Sequence, residues 1–483
     1  MNYRMIGRIL AQLVALEAVC IVPAALISLG YGEWFSAGAI AIAFAAMALV
    51  AGGLWGLCRK AKRSFGATEG MVCTGLAWVV LSLLGCLPFF ISGVIPRYID
   101  ALFEMVSGFT TTGASIMPDV EILPKGLMYW RSFSNWLGGM GVLVLLLALA
   151  PGEGQGQGFT MHLLRAESPG PDVGKLVPKM KKTALILYCI YIALTILDFL
   201  LLLLGSMPWL DALCIAFSTA GTGGFGIVNA SFADYSPYVQ NLTTTFLVLF
   251  GINFSCYYLL LLKQFKSVFR DEELRLYLGL FFLISLVIAA NIVPLFQTVE
   301  EALRHAFFQV ASIMTTAGFA THDFDTWPML SKGLLMLLMV VGASAGSTGG
   351  GLKVARLLLL FKSLGRNIRR VTRSNRVEVI RSNGRPVSET VLDNTNAYLA
   401  AYVIIIVGSF LVLCLDGQTV GTNFTAVLAC FNNIGPGLEA VGPTCNYSFY
   451  SDLSKLTLIF DMLAGRLEIF PMLILFSRLT WKK

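Results

Sequence analysis

The chain has 483 residues, of which 56% are hydrophobic and 13% are charged, and its net charge is +7. A soluble globular protein carries about 25% charged residues, so this composition excludes a chain that folds in water alone. Several apolar runs exceed the roughly 18 residues that mark a membrane-spanning helix, and they predict an all-α polytopic membrane protein.

The basic residues are concentrated in a few loops and at the two ends of the chain. These places hold 28 of the 35 Lys and Arg residues, and the alternate loops hold very few. The asymmetry follows the positive-inside rule, which predicts that the basic loops and both termini face the cytoplasm and that lipid surrounds the chain. Because this rule explains the net charge, we expect no nucleic-acid partner.

The first 63 residues differ from the rest of the chain. Two apolar runs, at 5–29 and 34–57, are each long enough to span a bilayer and are separated by a tight turn. They lack the pattern of the later segments. The sequence therefore predicts an N-terminal transmembrane hairpin over residues 1–63.

A fourfold repeat follows this hairpin. Each unit has a spanning helix, a short amphipathic helix, a strip of Thr or Asn with Gly, a polar segment and a second spanning helix. The strips lie between paired spans, opposite the basic loops, so they must enter the membrane and return on one side. We expect four helix–pore loop–helix repeats around one central pore, over residues 64–182, 183–270, 271–385 and 386–483.

The four strips are suited to binding a monovalent cation without an ionised group. A row of backbone carbonyls replaces the water shell of such an ion, and glycine permits the unusual backbone that aims them. Each short helix directs its negative dipole end toward the strip. The strips begin TTTGAS, STAGTGGFG, TTAGF and NNIGPG. The glycines that we expect to match are Gly113, Gly221, Gly318 and Gly435.

The segment GASAGSTGGGLK (residues 342–353) interrupts the second span of the third repeat. Five glycines and three hydroxyl residues in twelve positions do not favour a continuous helix. A phosphate-binding Walker A loop is rejected, because Leu352 separates Gly351 from Lys353 and a membrane helix precedes the segment. Close packing of helices through small residues is the alternative interpretation.

Arg466 lies within the last apolar span. A charge at the membrane centre costs at least about 2.5–3.5 kcal/mol, so its side chain should face the protein interior. Asp461 and Glu468 have the wrong helical spacing to pair with it. We expect Arg466 to face the pore, contact the glycine-rich segment and form a positive barrier; the alternative is an ion pair with another helix.

With these motifs the chain resembles the Trk/Ktr/HKT superfamily of potassium transporters over essentially its whole length, and the leading hairpin makes it similar to the TrkH/TrkG branch. The resemblance implies potassium as the bound ion, and its four filter glycines favour potassium over sodium. It also implies that residues 342–353 obstruct the pore below the filter. The implied filter residues are Thr111, Thr112, Gly113, Thr219, Ala220, Gly221, Thr316, Ala317, Gly318, Asn433, Ile434 and Gly435. The implied gate residues are Gly346, Gly349, Gly350, Gly351, Lys353 and Arg466.

The same resemblance implies a homodimer, a TrkA-like cytoplasmic nucleotide-binding regulatory subunit and a place in the bacterial inner membrane. Two alternatives stay open: a sodium-permeable or non-selective relative of the same fold, and a polytopic membrane enzyme. The enzyme is disfavoured because the chain has only three histidines and no clustered acid, His or Cys motif. Whether transport is channel-like or coupled to protons or sodium is also open.

Overall fold

The computed structural model describes residues 1–59, 66–141, 180–372 and 378–481. Within these residues six helices are long and apolar enough to cross a membrane, and a bent helix pair adds a seventh if it counts as one span. Leu49, Leu204 and Ile404 are 77%, 75% and 71% exposed on the outer faces of such helices. Lipid is the solvent that suits these faces. The predicted all-α membrane architecture is confirmed.

The N-terminal hairpin is formed by α1 (Tyr3–Gly30) and α2 (Trp34–Leu57), as predicted. Glu33, in the turn between them, accepts a hydrogen bond from the backbone N–H of Lys125, 2.8 Å away. Gly126 lies so close to the backbone of α1 that a Cβ would overlap Ser28. The hairpin is therefore docked against the first repeat.

The four repeats follow in order along the chain, and each contains one short helix between its spanning segments. Repeat one comprises α3 (Ala67–Gly85), α4 (Leu87–Ile91), α5 (Tyr98–Phe109) and α6 (Lys125–Gly139). Repeat two comprises α7 (Met180–Leu204), α8 (Trp209–Gly221), α9 (Pro237–Phe250), α10 (Phe254–Leu261) and α11 (Phe265–Phe269). Repeat three comprises α12 (Glu272–Ile292), α13 (Val299–Met314), α14 (Met329–Val340) and α15 (Val354–Thr372). Repeat four comprises α16 (Glu389–Leu413), α17 (Val420–Phe431), α18 (Asp452–Arg466), α19 (Phe470–Phe476) and α20 (Arg478–Trp481).

Short elements connect these helices. Among the described residues, four single 3₁₀ turns are found at Val293–Leu295, Phe324–Thr326, Cys414–Asp416 and Glu439–Val441. Between α15 and α16, β1 (Arg381–Ser382) and β2 (Arg385–Pro386) form an antiparallel hairpin in which Arg381 pairs with Pro386. The exact repeat boundaries remain predictions, and the junction between residues 63 and 64 lies outside the described residues.

The four short helices, α5, α8, α13 and α17, are the pore helices of this architecture. The predicted bounds hold for α5 and α17, whereas α8 continues four residues beyond its predicted end at residue 217. Two of them have a threonine N-cap. The Thr298 and Thr419 hydroxyls accept hydrogen bonds from backbone N–H groups in the first helical turn. Each helix is almost entirely buried along its last two turns.

The second spanning segment is interrupted in repeats two, three and four. Only the break in repeat three was predicted, at residues 342–353, and in the structure it covers residues 341–353. Helices α9 and α10 meet at an angle of 87°. The prediction of one continuous last span is wrong, because Glu468 and Ile469 take left-handed backbone angles, with φ of 56° and 70°, between α18 and α19.

Candidate ion pathway

Each pore helix ends in the same tight turn. One residue of each turn has left-handed backbone, and φ is 55° at Thr111, 51° at Thr222, 63° at Thr316 and 57° at Asn433. The next N–H donates to the carbonyl five residues earlier, at 2.8 Å in every repeat, which is the Schellman pattern of a helix end. The donor and acceptor residues are Thr112 and Ser107, Gly223 and Ser218, Ala317 and Ser312, and Ile434 and Ala429.

Repeat two follows this pattern three residues later than predicted. Thr219, Ala220 and Gly221 are the last residues of α8, and Gly224, with φ of 72°, takes the position expected for Gly221. The helix continues through Gly221, which packs against the backbone of Asn135 in α6 so closely that a Cβ would not fit. The match of Gly221 with the other strip glycines is therefore wrong.

The four corrected glycines form a closed ring, which we call the glycine ring (Gly113, Gly224, Gly318 and Gly435). A Cβ on Gly113 would lie 2.6 Å from the Gly223 carbonyl oxygen, and one on Gly435 would lie 2.7 Å from the Thr112 oxygen. A Cβ on either of the other two glycines would lie closer still to a carbonyl oxygen. On Gly224 it would overlap the Ala317 carbonyl oxygen, and on Gly318 the Ile434 carbonyl oxygen. Each repeat thus places a carbonyl against the glycine of another repeat, and the contacts close in a circle.

The four ring positions require glycine for its backbone conformation as well as for its small size. Their φ angles are 78° at Gly113, 72° at Gly224, 78° at Gly318 and 96° at Gly435. Residues with a Cβ rarely adopt such angles, and glycine does so without a steric cost. The backbone here is exposed to a cavity, because all four glycines contribute to the walls of a single open cavity of about 120 Å³.

We call this cavity the vestibule. It is lined mainly by the strips and by the polar segments that follow them, including Ser115, Asn229 and Asn446. Non-helical backbone at membrane depth is tolerated only where it is buried in protein or lines water. The arrangement is chemically suited to a dehydrated cation that exchanges water for peptide oxygens.

The glycine-rich segment of repeat three lies on the other side of the ring; we call residues 341–353 the intramembrane loop. Its ends are joined, since Gly342 N–H donates to the Leu352 carbonyl at 2.9 Å and Val354 N–H to the Ala343 carbonyl at 3.2 Å. Gly350 N–H donates to the Thr316 hydroxyl at 2.6 Å. The loop therefore touches the strip of its own repeat directly.

The loop also contacts the strips of repeats two and four. The Thr348 and Thr222 hydroxyls are 3.4 Å apart. A Cβ on Gly350 would lie 2.6 Å from the Asn432 carbonyl oxygen of repeat four. One on Gly349 would lie 2.9 Å from the Thr315 carbonyl oxygen of the loop's own repeat. Gly346 and Gly351 supply two left-handed turns, with φ of 71° and 66°. The loop crosses the pathway beneath the glycine ring.

Arg466 connects this loop to the first repeat. Its guanidinium donates to the Thr348 carbonyl at 2.7 Å and to the Gly139 carbonyl at 2.7 Å, and it also bonds the Gly138 carbonyl. These three carbonyls carry no formal charge. Lys353 bonds the Gly349 carbonyl within the loop. Two cationic side chains therefore lie at the loop that crosses the pathway.

A buried ion pair at the vestibule was missed by the sequence reasoning. Arg131 of α6 and Glu104 of α5 are 2.6 Å apart and only 2% and 0% exposed. Glu104 accepts the Ile116 N–H at 2.8 Å, and Arg131 donates to the Gly226 carbonyl at 2.9 Å. The pair fixes the strips of repeats one and two. The sequence signal for this ion pair was a Glu within the apolar stretch YIDALFEMVSGF.

The acids of the polar outer segments take part in local hydrogen bonds. The Asn229 amide donates to Asp119 at 2.8 Å and lowers the pKa of that carboxyl. The Thr419 hydroxyl bonds Glu439 and likewise lowers its pKa. Both carboxylates therefore stay charged as the pH falls below neutral, and they hold loops together around the vestibule.

The whole chain matches known cation transport proteins. The TrkH family, described as cation transport proteins, matches residues 36–296 and 280–482. The chain belongs to this family. It is 36% identical to the Trk system potassium uptake protein TrkH of Salmonella typhimurium, with all of both chains covered.

Two further relatives agree with this assignment. The Trk system potassium uptake protein TrkG of Escherichia coli is 31% identical, with 100% of this chain and 99% of the relative covered. The crystal structure of the potassium transporter TrkH from Vibrio parahaemolyticus superimposes with a TM-score of 0.88 at 32% identity, over all of both chains. Membership of a transport family removes the alternative of a polytopic membrane enzyme.

Proposed function

We propose that this member of the TrkH family takes up potassium across the inner membrane of a bacterium. The observation that carries the proposal is the closed glycine ring, in which each repeat presents a carbonyl beside the glycine of another repeat. Carbonyl oxygens without a formal charge suit a weakly hydrated monovalent cation. Relatives named as potassium uptake proteins at 36% identity over the full length support the choice of ion.

The filter residues of the proposal follow the corrected alignment. They are Thr111, Thr112 and Gly113; Thr222, Gly223 and Gly224; Thr316, Ala317 and Gly318; and Asn433, Ile434 and Gly435. The intramembrane loop, with Gly346, Gly349, Gly350, Gly351 and Lys353, acts as the gate. Arg466 holds this gate under the ring and places a positive charge on the path of the ion.

We also propose an orientation in the membrane and two kinds of partner for the chain. Both termini and the basic loops face the cytoplasm, in keeping with the positive-inside rule. The chain forms a homodimer and docks a nucleotide-binding regulatory subunit on its basic side. The name of the relatives, which places them in a Trk system, supports a multi-component transporter.

Flux measurements on proteoliposomes test the choice of ion. We expect the purified chain to carry radioactive rubidium, a potassium substitute, faster than sodium. Equal or faster sodium flux would replace the proposal by the sodium-permeable alternative. Absence of any cation flux, with and without the regulatory subunit, would contradict transport by this pathway.

A ring variant ties the flux to the proposed pathway. Gly318→Ala places a Cβ against the Ile434 carbonyl at a φ of 78°, so the ring must distort. We expect rubidium flux to fall by about 5- to 150-fold, since distorting the ring costs roughly 1–3 kcal/mol. Gly333→Ala is the control in the same repeat, because nothing lies within 4 Å of a Cβ there.

A further inference from the structure

The carboxyl group of Glu273 in α12 bonds the backbone near the start of the intramembrane loop and just after its end. Glu273 lies in the first turn of α12, and its Oε1 atom accepts hydrogen bonds from two backbone N–H groups. Ala345, early in the loop, donates at 2.5 Å, and Ala355, just after the loop, donates at 3.2 Å. The loop is therefore clasped from its own repeat, away from the glycine ring.

The chemistry of this contact is favourable for a latch. One carboxyl oxygen satisfies two backbone N–H groups, so its loss would leave both donors without an acceptor. Ala355 is the second residue of α15, so the carboxylate also faces the positive end of that helix. Lys353, Arg356 and Glu468 lie next to this site, and the last two form an ion pair with each other. Releasing Glu273 would free the loop at both ends together.

The start of α12 is joined to the β1–β2 hairpin on the basic side. The Asn383 amide in the hairpin turn donates to Asp271 at 2.7 Å, and Glu272 N–H donates back to Asn383 at 2.9 Å. Lys362 of α15 forms an ion pair with Glu272 and donates to the Arg381 carbonyl at 2.7 Å. Three consecutive acidic residues, 271–273, thus connect the hairpin to the loop.

We propose that Glu273 is a positioning residue that latches the intramembrane loop in its closed place, and that the β1–β2 hairpin is the lever that moves it. The inference rests on the proposed gating role of the loop and adds the site at which the gate is held. A regulatory protein that displaces the hairpin pulls on Asp271 and Glu272 and withdraws the Glu273 carboxylate. The loop then moves from beneath the glycine ring.

Two readouts on the full-length chain test the latch. Backbone hydrogen exchange of peptides that contain Ala345 and Ala355 reports on the clasp itself, and rubidium flux into proteoliposomes without a regulatory subunit reports on the gate. In Glu273→Ala we expect exchange at these amides to become about tenfold faster, since a buried N–H group that loses its acceptor is destabilised by about 1–3 kcal/mol. We also expect the flux to rise several-fold at an unchanged ratio of rubidium to sodium.

Milder variants keep the test valid where Glu273→Ala folds poorly. Glu273→Gln keeps an acceptor oxygen but loses the charge, so both readouts should change in the same direction by less. Asn383→Ala, in the hairpin, should raise the flux too, and its effect should not add to that of Glu273→Ala because both act through one connection.

The matched control is Glu69→Ala. Glu69 accepts the Gly66 N–H at 3.1 Å at the start of α3, so it has the same local chemistry but does not touch the loop. Unchanged exchange at Ala345 and Ala355 in both Glu273 variants would overturn the latch, as would equal effects of Glu69→Ala. If the wild-type chain carried no rubidium, the proposed function would fail, while faster loop exchange in Glu273→Ala would still support the clasp.

Discussion

At the scale of single residues, two threonines of repeat two have opposite roles although they are three positions apart. Thr222 occupies the left-handed turn, and its hydroxyl bonds the Gly221 carbonyl at 2.7 Å. Thr219 is helical and buried, and its hydroxyl has no hydrogen-bond partner among the described residues. Only the first of the two belongs to the strip.

This difference predicts the outcome of two identical substitutions. Thr222→Val removes the hydroxyl hydrogen bond, at a cost of about 1 kcal/mol, and leaves the strain of a β-branched residue in the left-handed turn unchanged. We expect rubidium flux to fall by about fivefold. Thr219→Val replaces an unsatisfied hydroxyl with a methyl group of similar shape, and the flux should stay within about twofold. A larger loss in Thr219→Val than in Thr222→Val would restore the original alignment.

At the scale of elements, the intramembrane loop is kept in place by neighbours from all four repeats. Repeats two, three and four contribute their strips, and repeat one contributes the Gly138 and Gly139 carbonyls through Arg466. In the proposed opening, the small residues of the loop would leave this place without displacing bulky side chains.

Arg466→Gln therefore weakens the closed arrangement. The substitution removes charge-assisted hydrogen bonds to the loop and to α6, each worth about 1.5–3 kcal/mol. We expect rubidium flux without a regulatory subunit to rise by about tenfold. Arg97→Gln is the control, because Arg97 forms an ion pair with Asp452 in which both side chains are about half exposed. Unchanged flux in Arg466→Gln would contradict the barrier role.

The Glu104–Arg131 pair joins a pore helix to its neighbouring span. Glu104→Gln leaves the Arg131 charge buried without its counter-ion, which costs about 3–5 kcal/mol. We expect a clear fall in the melting temperature in detergent, and partial recovery when Arg131→Met is added. Glu300→Gln is the comparison on another pore helix, because that pair with Arg304 leaves Glu300 64% exposed and is worth about 0.3–0.5 kcal/mol.

At the scale of the whole molecule, one chain supplies all four sides of the glycine ring. The ring closes only when four distant segments of the sequence assemble, so a bound ion should stabilise the complete fold. We expect potassium chloride to raise the melting temperature relative to choline chloride at equal ionic strength. At a hundred times the dissociation constant the gain is about 2.7 kcal/mol. The shift should disappear in Gly318→Ala, and a shift that persists there would place the stabilising ion elsewhere.

The sequence by itself determined the membrane class, the leading hairpin, the fourfold repeat and three of the four ring glycines. These features depend on local properties, namely apolar length, helical period and the need for glycine in a tight turn. The pore helices Tyr98–Phe109 and Val420–Phe431 were predictable to the residue for this reason.

Only the tertiary structure decided the alignment of repeat two, the breaks in the second spans and the partners of the buried charges. The strip STAGTGGFG offers several glycines, and both of the alignments in question satisfy its local chemistry. In the structure Gly221 is helical and contacts Asn135, and the turn lies at Thr222. Likewise, Glu104 bonds a residue of another helix and Glu273 bonds a residue of the intramembrane loop. Sequence spacing does not encode such contacts, because they depend on how separate elements pack.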